Sequence, residues 1–368
     1  MTRPDLPPMD VAGRAARVRA TLDGCDALLV TSLANIRWLT GFTGSAARLL
    51  LLRDELVLIT DGRYGEQAAA QLVAAGVDGR VEVGLSQAAQ LERLTADVRG
   101  IARLGLEAEH VSWAAQQGYA TAFEHAELVA TTAAIEQHRL VKDAGEVARI
   151  EAASGIADDA LAAVLPTLAT EPTETELALA LETEMRRRGA DGPSFESIIA
   201  GGANAGFPHH RPDTTRLREG SLLILDFGAL VDGYHSDMTR TVAVGEPSPE
   251  RAELLALVTE AEALGVAAVR AGIDAKAVDA ACRDYIIAAG WGERFTHGTG
   301  HGVGLLIHEA PWVNATSTDV LGEGTVVTVE PGVYRGGLGG ARVEDTVIVT
   351  SDGCRPLTKT PKDLSCLR

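Results

Sequence analysis

Two strand-like runs joined by the dipeptide Asp232-Gly233, within LILDFGALVDGYHSDMTRT, constrain the fold more than any other segment. An Asp-Gly dipeptide between apolar runs strongly favours a two-residue hairpin turn. With the turn at this point, Asp226 lies opposite Thr239. Asp237 then lies diagonally across from Asp226 on the same face, because side chains alternate along a strand. The sequence therefore predicts an antiparallel hairpin with two carboxylates directed to one place.

The first of these carboxylates, Asp226, interrupts the apolar run at 222–225 and is expected to be buried. An ionised carboxylate in such a place needs a positive partner. An ion pair with Arg240, or a cap on a turn, would satisfy either aspartate alone. Two aspartates on one face of a hairpin instead indicate a bound cation.

Three histidines, His297, His301 and His308, follow within the segment HGTGHGVGLLIHE. The alternating glycines of this segment exclude a stable helix, so the spacing of His297 and His301 is not that of a helical zinc motif. The segment is predicted to be an extended loop or a strand. A single histidine there is commonly structural, whereas three together indicate coordination or proton transfer near neutral pH.

Two glutamates interrupt apolar runs further along the chain. Glu330 ends the β-rich run of TVVTVEPGVY, before a turn expected at Pro331-Gly332. Glu344 lies inside the strand predicted for ARVEDTVIV, on the same face as Arg342. Solvation at a strand end would explain Glu330 by itself, but the apolar residues after Glu344 indicate a buried strand.

The potential metal ligands thus form an ordered set of four carboxylates and one imidazole. A hard, oxygen-dominated set of this kind can hold two divalent cations and the water between them. Such a centre indicates a hydrolase. The members of the set are Asp226, Asp237, His301, Glu330 and Glu344.

Length and charge bound the class of protein. The 368 residues, of which 46% are hydrophobic, suffice for two domains. The formal net charge of -18 argues against nucleic acid or an anionic membrane as a partner. No apolar run approaches the ~20 residues of a membrane helix, and the N-terminus has no apolar signal core. The four cysteines form no C-x-x-C pair, so we expect a cytoplasmic protein with reduced thiols.

The predicted elements give an α+β fold with a domain boundary near residue 140. Residues 1–140 are predicted to form a small α/β domain, and residues 141–368 to form the domain that holds the ligands. The apolar pattern breaks at 138–143, where Asp143 and Glu146 predict a capping box at the start of a long helix. Helices and antiparallel strands are then grouped rather than alternating, which favours α+β.

The predicted helices and strands follow from the apolar periodicity. In the first domain, helices are predicted at 9–22, 64–75, 87–98 and from about 112, and strands at 27–30, 48–52, 56–60 and 103–106. In the second domain, helices are predicted at 143–164, 173–188, 249–271 and 274–289, and strands at 195–200, 221–230, 234–244, 325–330 and 342–350.

The strings DGYHSDMTRT, HGTGHGVGLLIHE, VEPGVY and RVEDTV together resemble the metallopeptidases of the pita-bread fold, family M24. That family includes methionine aminopeptidase, aminopeptidase P and prolidase, and the resemblance covers nearly the whole chain. NIRWLTGFTGS and TDGRY resemble the smaller creatinase-type domain that precedes the catalytic domain in aminopeptidase P, prolidase and creatinase. Methionine aminopeptidase lacks this domain, so the resemblance selects the Xaa-Pro branch.

The resemblance implies a pita-bread catalytic domain with two divalent metal ions. Mn²⁺ is expected, and Co²⁺, Zn²⁺ or Fe²⁺ would also suit the ligand set. Asp226 would bind one ion, and His301 and Glu330 mainly the other. Asp237 and Glu344 would bridge or share them. A metal-bridging hydroxide would attack the carbonyl of the bond before proline, and Glu330 would move the proton.

The same resemblance implies roles for further residues. His209, in GANAGFPHH, is similar to a substrate-pocket histidine; His297 to one near the leaving proline; and His308 to one that contacts the scissile carbonyl or its oxyanion. Arg342 would organise the site or meet a substrate carboxylate. His209 is taken as the matching histidine, and His210, which stands where the family's usual string has glycine, is the alternative. The implied catalytic set is Glu330, His308, His297, His209 and Arg342.

The function expected from the resemblance is that of an Xaa-Pro dipeptidase (prolidase), a homodimer that acts on Xaa-Pro dipeptides or short peptides. Xaa-Pro aminopeptidase, acting on Xaa-Pro-Xaa peptides, is the alternative, and the compact chain favours the dipeptidase. Creatinase, which works without metal, and an inactive binding protein of the same fold are disfavoured by the five intact ligands. Candidates for a proline pocket, or simply for the core, are Phe207, Leu305, Leu306 and Tyr334.

Overall fold

A computed structural model describes residues 5–366 of the chain. The chain divides into two compact units, of which the first is Pro8–Arg139 and the second comprises residues 140–366 together with residues 5–7. The structure differs from the predicted division at residues 5–7, which lie in the second unit. There the carbonyl of Pro7 accepts a hydrogen bond of 2.9 Å from Arg149 Nη1, which accounts for the difference.

The first unit is built on a six-stranded mixed sheet with the strand order β4-β3-β2-β1-β5-β6. Its strands are β1 Ala27–Val30, β2 Ala47–Leu51, β3 Leu56–Thr60, β4 Arg80–Val83, β5 Arg103–Glu107 and β6 Glu127–Thr131. Its helices are α1 Arg14–Thr21, α2 Leu33–Thr40, α3 Gly65–Ala74, α4 Gln87–Val98, α5 Trp113–Ala122 and α6 Glu136–Arg139.

Three main elements of this unit, α2, β4 and β6, were not predicted. Strands β4 and β6 lie at the two edges of the sheet, and most of their residues are only partly buried. An edge strand exposes side chains on both sides, so it lacks the apolar run by which a central strand is recognised. The central strands β1 and β3, which are entirely buried, have the predicted bounds.

The second unit contains four helices of at least 14 residues and several small sheets among the described residues. The helices are α7 Ala144–Val164, α8 Glu174–Arg187, α9 Pro249–Ala268 and α10 Ala275–Ala288, with short 3-10 helices at Leu165–Thr170, Asn204–Gly206 and Gly292–Arg294. The first seven strands are β7 Gly192–Pro193, β8 Ile198–Gly201, β9 Ser221–Phe227, β10 Ala229–Val231, β11 Tyr234–His235, β12 Met238–Val244 and β13 Gly300–Gly302. The others are β14 Glu309–Val313, β15 Val326–Val329, β16 Gly332–Arg335, β17 Gly339–Arg342, β18 Asp345–Val349, β19 Cys354–Pro356 and β20 Ser365–Cys366.

The capping box predicted for α7 is confirmed. The Asp143 carboxylate accepts a hydrogen bond from the Glu146 amide at 2.9 Å, and the Glu146 carboxylate accepts one from the Asp143 amide at 3.0 Å. The segment Ala144–Thr170 is long and apolar enough to cross a membrane by length and composition alone. Packing in the core accounts for that composition, because Leu161 lies in one apolar cluster with Leu225 of β9.

Two helix pairs cover two sheets. Helices α7 and α8 pack on β9 and β12, and helices α9 and α10 share a second apolar cluster with β15 and β18. The first sheet has the order β20-β12-β9-β8, and the second the order β14-β13-β15-β18-β19. Leu223 and Leu225 of β9 pack toward the first helix pair. Because side chains alternate along a strand, Asp226 projects from the opposite face of that sheet.

The predicted hairpin is present in the predicted register. Strands β9 and β12 pair antiparallel with Asp226 opposite Thr239, and Val231 of β10 pairs with Tyr234 of β11. The two turn residues, Asp232 and Gly233, have φ angles of 45° and 72°. Positive φ at both central positions is the requirement of a type I′ turn, which an Asp-Gly dipeptide meets readily.

The strand predicted at 342–350 is instead two strands in different sheets. Strand β17 ends at Arg342 and pairs with β16, whereas β18 begins at Asp345 and pairs with β15. Arg342 and Glu344 therefore do not share one strand face, and Glu344 lies in the connection between the strands. The cause is a long-range pairing of each half with a different partner, which leaves no mark in the local pattern of side chains.

Gly300 and Gly302, on either side of His301, are required because the backbones of the strands next to β13 pass very close to them. A Cβ atom at Gly300 would lie 2.0 Å from the carbonyl oxygen of Thr328, and one at Gly302 would lie 2.3 Å from that of Ala310. These are backbone contacts that cannot move aside. The glycines thus allow the strand that carries His301 to fit between β14 and β15.

We expect Gly300→Ala to lower the free energy of unfolding by about 1–3 kcal/mol, because the added methyl group overlaps the backbone of β15. Gly155→Ala in α7 is the matched control, since a Cβ there meets nothing within 4 Å. That variant should be neutral or stabilising by up to about 1 kcal/mol. Urea denaturation of both variants is the measurement. Equal midpoints for Gly300→Ala and the wild type would contradict the packing argument.

Candidate metal centre

The predicted ligands meet at one cavity of about 420 Å³ in the second unit. Asp226 is the second-last residue of β9, Asp237 precedes β12, His301 lies in β13, Glu330 follows β15 and Glu344 precedes β18. Strand ends and connections from two sheets thus deliver all five side chains to one space. The cavity is also lined by the other predicted site residues, His209, His297, His308 and Arg342.

Three carboxylates form the centre of this site. Asp226, Asp237 and Glu344 each present an oxygen, and these oxygens lie within 4.8 Å of one another. The Glu344 amide donates to the carbonyl of Thr239 at 3.1 Å, and the Thr239 hydroxyl donates to Glu344 Oε2 at 2.7 Å. Thr239, directly opposite Asp226 in the hairpin, therefore aligns Glu344 with the two aspartates.

His301 and Glu330 lie on the other side of this group. His301 Nε2 is 3.3 Å from Glu330 Oε1 and 3.6 Å from Asp237 Oδ2. The other ring nitrogen, Nδ1, lies 3.0 Å from the carbonyl oxygen of Gly302, to which it must donate a proton. This contact leaves the Nε2 lone pair directed at the carboxylates, which is the form of histidine that binds a metal. Burial also lowers the pKa of His301, which favours the neutral ring.

Burial and crowding perturb the acidic groups. Removal from water raises the pKa of Asp237 and of Glu344 well above the ordinary range, and the neighbouring carboxylates raise both further. Burial raises the pKa of Glu330 to about 8, with the Asp226 charge adding to the shift and Arg342 opposing it. A divalent cation among these groups would favour their ionised forms again.

The donor set fits divalent metal ions. Asp226 Oδ1 and Glu344 Oε1 are buried and accept no hydrogen bond within the described part of the chain. A buried carboxylate oxygen without a partner is destabilising unless a cation compensates it. Both atoms belong to the group of three carboxylates, and the surrounding ligands are oxygens and one imidazole, which suit hard or borderline divalent ions.

Arg342 organises the site through hydrogen bonds in several directions. Its Nη2 atom donates to Asp226 Oδ2 at 2.5 Å, its Nε atom to the Thr239 hydroxyl at 3.1 Å and its Nη1 atom to the Tyr334 hydroxyl at 2.6 Å. The side chain is 4% exposed. One oxygen of Asp226 is thereby held by Arg342 while the other stays directed at the neighbouring carboxylates.

His297 is held by a hydrogen-bond chain that begins at the same arginine. Tyr334 accepts from Arg342, so its own proton is directed to His297 Nε2 at 3.0 Å. His297 Nδ1 donates to the carbonyl of Gly298 at 2.7 Å. Burial, with the charge of Arg342, lowers the pKa of His297 to about 4, which is consistent with the neutral ring that this chain requires.

The remaining histidines flank the predicted metal ligands. The His308 ring stands edge-on to the His301 ring, with 4.4 Å between the centroids, and burial lowers the pKa of His308. His209 is exposed and lines the cavity. Its neighbour His210 does not, since its Nε2 atom lies 2.7 Å from Glu174. The geometry therefore brings His209, and not His210, to the cavity.

The apolar wall of the cavity differs from the four candidates chosen from the sequence. Phe207, Leu305, Leu306 and Tyr334, all within the described chain, do not line it. The apolar residues that do are Phe195, Ile198, Pro208, Ile307 and Trp312. Strand register would have identified two of these residues, because Ile198 pairs with Asp226 and Trp312 pairs with His301 on neighbouring strands. Opposed residues share a face, but the pairing of β8 and β14 was not evident from the sequence.

The fold and the site together are those of a two-domain metallohydrolase. Comparison with known protein families identifies the family to which it belongs. The sequence matches metallopeptidase family M24 over residues 148–351 and the Creatinase/Prolidase N-terminal domain over residues 14–141. The chain belongs to metallopeptidase family M24. The mixed α and β architecture and the recognition of this family from the sequence are therefore confirmed, and divalent metal ions are implied by membership.

Similar proteins span nearly the whole chain. It is 41% identical over 347 residues to "Uncharacterized peptidase YqhT" of Bacillus subtilis, covering 94% of this chain and 96% of that protein. The structure of Xaa-Pro dipeptidase from Bacillus anthracis is similar with a TM-score of 0.90 and 38% identity, covering 96% and 98% of the two chains. X-Pro aminopeptidase from Thermotoga maritima gives a TM-score of 0.86 and 33% identity, covering 95% and 99%.

The raised pKa of Glu330 predicts how stability depends on pH without metal. Between about pH 4.5 and its folded-state pKa of about 8, folded Glu330 retains a proton that the unfolded chain has lost. Stability of the metal-free protein should therefore fall as pH rises from 6 to 8, and added Mn²⁺ should raise the melting temperature more at pH 8. Thermal unfolding in chelator and in Mn²⁺ at both pH values is the measurement.

Glu330→Gln is the control for that experiment. The amide cannot ionise, so the metal-free variant should lose stability less steeply across the same pH range. Identical slopes for the variant and the wild type would show that Glu330 does not retain a proton in the folded protein.

Proposed function

We propose that this chain is an Xaa-Pro dipeptidase, which hydrolyses the bond between an N-terminal residue and a following proline. The observation that carries the proposal is the group of buried carboxylates, two of whose oxygens accept no hydrogen bond from the described residues, beside a cavity lined by four histidines. The similarity to Xaa-Pro dipeptidase from Bacillus anthracis over 96% of this chain supports the substrate class.

The residues proposed to hold two divalent cations are Asp226, Asp237, His301, Glu330 and Glu344. When bound there, such ions supply Lewis-acid polarisation of a carbonyl and lower the pKa of water. The chain itself fixes the ligands in advance: Arg342 and Thr239 hold the carboxylates, and Gly302 sets the tautomer of His301. Ligands held in this way need no rearrangement during the reaction.

Glu330 is the proposed group for proton transfer. It is the most exposed of the four carboxylates, at 19% of its side chain, and it faces the cavity. A hydrogen bond of 3.2 Å from the Thr328 hydroxyl holds Glu330 Oε1. A carboxylate in contact with both the cavity and the other ligands can take a proton from attacking water and return it to the leaving nitrogen.

The cavity suits a small substrate that contains proline. Its volume of about 420 Å³ lies in the range of sites for small ligands. Phe195, Ile198, Ile307 and Trp312 supply apolar surface for a ring that has no amide N-H to be satisfied. His308 and His209 line the cavity, where an imidazole N-H can donate a hydrogen bond to the scissile carbonyl or to its oxyanion.

Xaa-Pro aminopeptidase is the second candidate, and one observation favours it. A free dipeptide places its carboxylate close to the scissile bond, where a cation should meet it. Among the described residues that line the cavity, Arg342 is the one guanidinium, and its hydrogen bonds go to Asp226, Thr239, Tyr334 and Pro208. A longer peptide, in which that carboxylate is an amide, needs no such cation.

Substrate length distinguishes the two candidates. The dipeptidase proposal expects metal-loaded protein to hydrolyse Xaa-Pro with a kcat/KM at least about tenfold above that for Xaa-Pro-Xaa, since a dipeptidase site is closed beyond proline. Excess chelator should abolish turnover, and Mn²⁺ should restore it. Exclusive cleavage of the tripeptide would exclude the dipeptidase, and full activity in chelator would exclude metal-dependent hydrolysis altogether.

Glu330→Gln tests proton transfer. The amide keeps the shape and one oxygen but accepts no proton, so kcat should fall by about 10²- to 10⁴-fold while the fold is kept. Steady-state kinetics with metal content measured in parallel provide the check. Thr170→Ala, in which an exposed hydroxyl bonded to the carbonyl of Thr167 is removed, is a control that should leave kcat near the wild-type value. Wild-type turnover by Glu330→Gln would remove the residue from the reaction.

We further propose Mn²⁺ as the physiological metal, a homodimer as the active assembly and the cytoplasm as the location. Support for Mn²⁺ is the oxygen-rich ligand set, which also accepts Co²⁺, Zn²⁺ and Fe²⁺. Support for the homodimer is the family resemblance, and for the cytoplasm the four cysteines, which are spread along the sequence without a C-x-x-C pair, as is common for reduced thiols. Metal analysis and light scattering of the protein used in the kinetic assays check the first two.

A further inference from the structure

The segment that carries His209 has no regular structure of its own. Between the 3-10 helix Asn204–Gly206 and the bridge residue Arg216, the described chain forms neither helix nor strand. His209 nevertheless lines the cavity from this segment. A side chain on such a loop holds a fixed position only if other parts of the protein restrain the loop.

A buried glutamate outside the metal centre provides that restraint. Glu174, the first residue of α8, is fully buried, and its two oxygens accept several hydrogen bonds. Oε1 accepts from the Gly201 amide at 2.8 Å and from the Asn204 side chain at 3.0 Å. Oε2 accepts from His210 Nε2 at 2.7 Å and from the Asp213 amide at 3.1 Å. One carboxylate thus ties the end of β8 and both sides of the loop to the start of a helix.

The cluster of Glu174, His210 and Asp213 has the composition of a metal site, but its contacts are those of an anchor. Both Glu174 oxygens already accept hydrogen bonds, and each oxygen accepts one of these bonds from a backbone amide. The position at the start of α8 adds the favourable interaction of a carboxylate with the N-terminus of a helix. The carboxylate is therefore satisfied without a cation, unlike those of the metal centre.

His209 is restrained on its other side as well. The carbonyl of Pro208 accepts a hydrogen bond of 3.4 Å from Arg342 Nη1. The residue before His209 is thus linked to the arginine that holds Asp226, and the residue after it is linked to Glu174. The backbone of His209 is fixed at both ends, while its ring is left to face the cavity.

We propose that His210 and Glu174 are positioning residues that hold His209 at the substrate cavity. This inference rests on the proposed function, because it assigns His209 to contact with the substrate. Neither residue touches the cavity, and both act through the loop.

His210→Ala removes one hydrogen bond of the anchor and tests the proposal. We expect kcat/KM for the Xaa-Pro substrate to fall by about tenfold, since small misplacements of a substrate-contacting group reduce rates by one to two orders of magnitude. His210→Gln, whose amide can still donate to Glu174, should recover most of the loss. Metal content should be unchanged in both variants. Hydrogen exchange of the amides at 207–213 should become faster in His210→Ala.

Arg211→Ala is the matched control. Arg211 is the next residue of the same loop, and it makes an exposed ion pair with Glu196. Exposed ion pairs of this kind contribute little to stability. The variant should therefore keep wild-type kinetics and wild-type hydrogen exchange of the amides at 207–213. A loss in Arg211→Ala equal to that in His210→Ala would mean that any change in the loop impairs activity, and would overturn the specific role of His210.

A double-mutant cycle with His209→Ala separates positioning from general stability. If His210 acts through His209, His210→Ala should reduce kcat/KM by less than about twofold once His209 is absent. A full and additive loss would overturn the proposal, as would wild-type kinetics in His210→Ala or in His209→Ala. Failure of the wild type to cleave any Xaa-Pro bond is a different result, which refutes the proposed function.

Discussion

The concentration of negative charge in one buried space is the constraint to which the rest of the second unit responds. Asp226, Asp237 and Glu344 bring oxygens within 4.8 Å of one another, and Glu330 lies beside them. Without compensation such a group would repel itself and would hold protons, as the raised pKa values of Asp237 and Glu344 indicate. Among the described residues that line the cavity, Arg342 supplies the one guanidinium, and Asp226 Oδ1 and Glu344 Oε1 accept no hydrogen bond from the described chain. Divalent cations held by these carboxylates would complete the balance of charge, and the stability of the site and its chemistry would then have the same origin.

The architecture explains how strands deliver these groups without burying the site completely. Each sheet is covered by a helix pair on one face, and the strand ends and connections carry the ligands on the other. Hydrogen bonds then align groups that are far apart in sequence: Thr239 holds Glu344, and Arg342 holds Asp226 and, through Tyr334, His297. The His209 loop, which lacks secondary structure, relies on the buried carboxylate of Glu174 instead.

The parts that sequence reasoning predicted are those in which a local pattern corresponds to one physical requirement. The turn at Asp232-Gly233 needs two positive φ angles. The capping box that begins at Asp143 needs the carboxylate of Glu146 three residues later. Two kinds of strand were not predicted correctly. Edge strands such as β4 lack an apolar pattern, and the run at 342–350 divides where its two halves pair with different strands. Both depend on neighbours that are distant in sequence.

The sequence by itself determined the chemistry: an ordered set of four carboxylates and one histidine, in contexts specific enough to identify metallopeptidase family M24. It did so because ligand type and strand alternation are local properties. Only the tertiary structure decided which groups are paired and which are available. It commits Arg342 to Asp226 and Tyr334, directs His210 away from the cavity, and makes Trp312 rather than Leu305 a wall of the site. These outcomes follow from the pairing of distant strands and from burial, which fix the hydrogen-bond partners of each polar group.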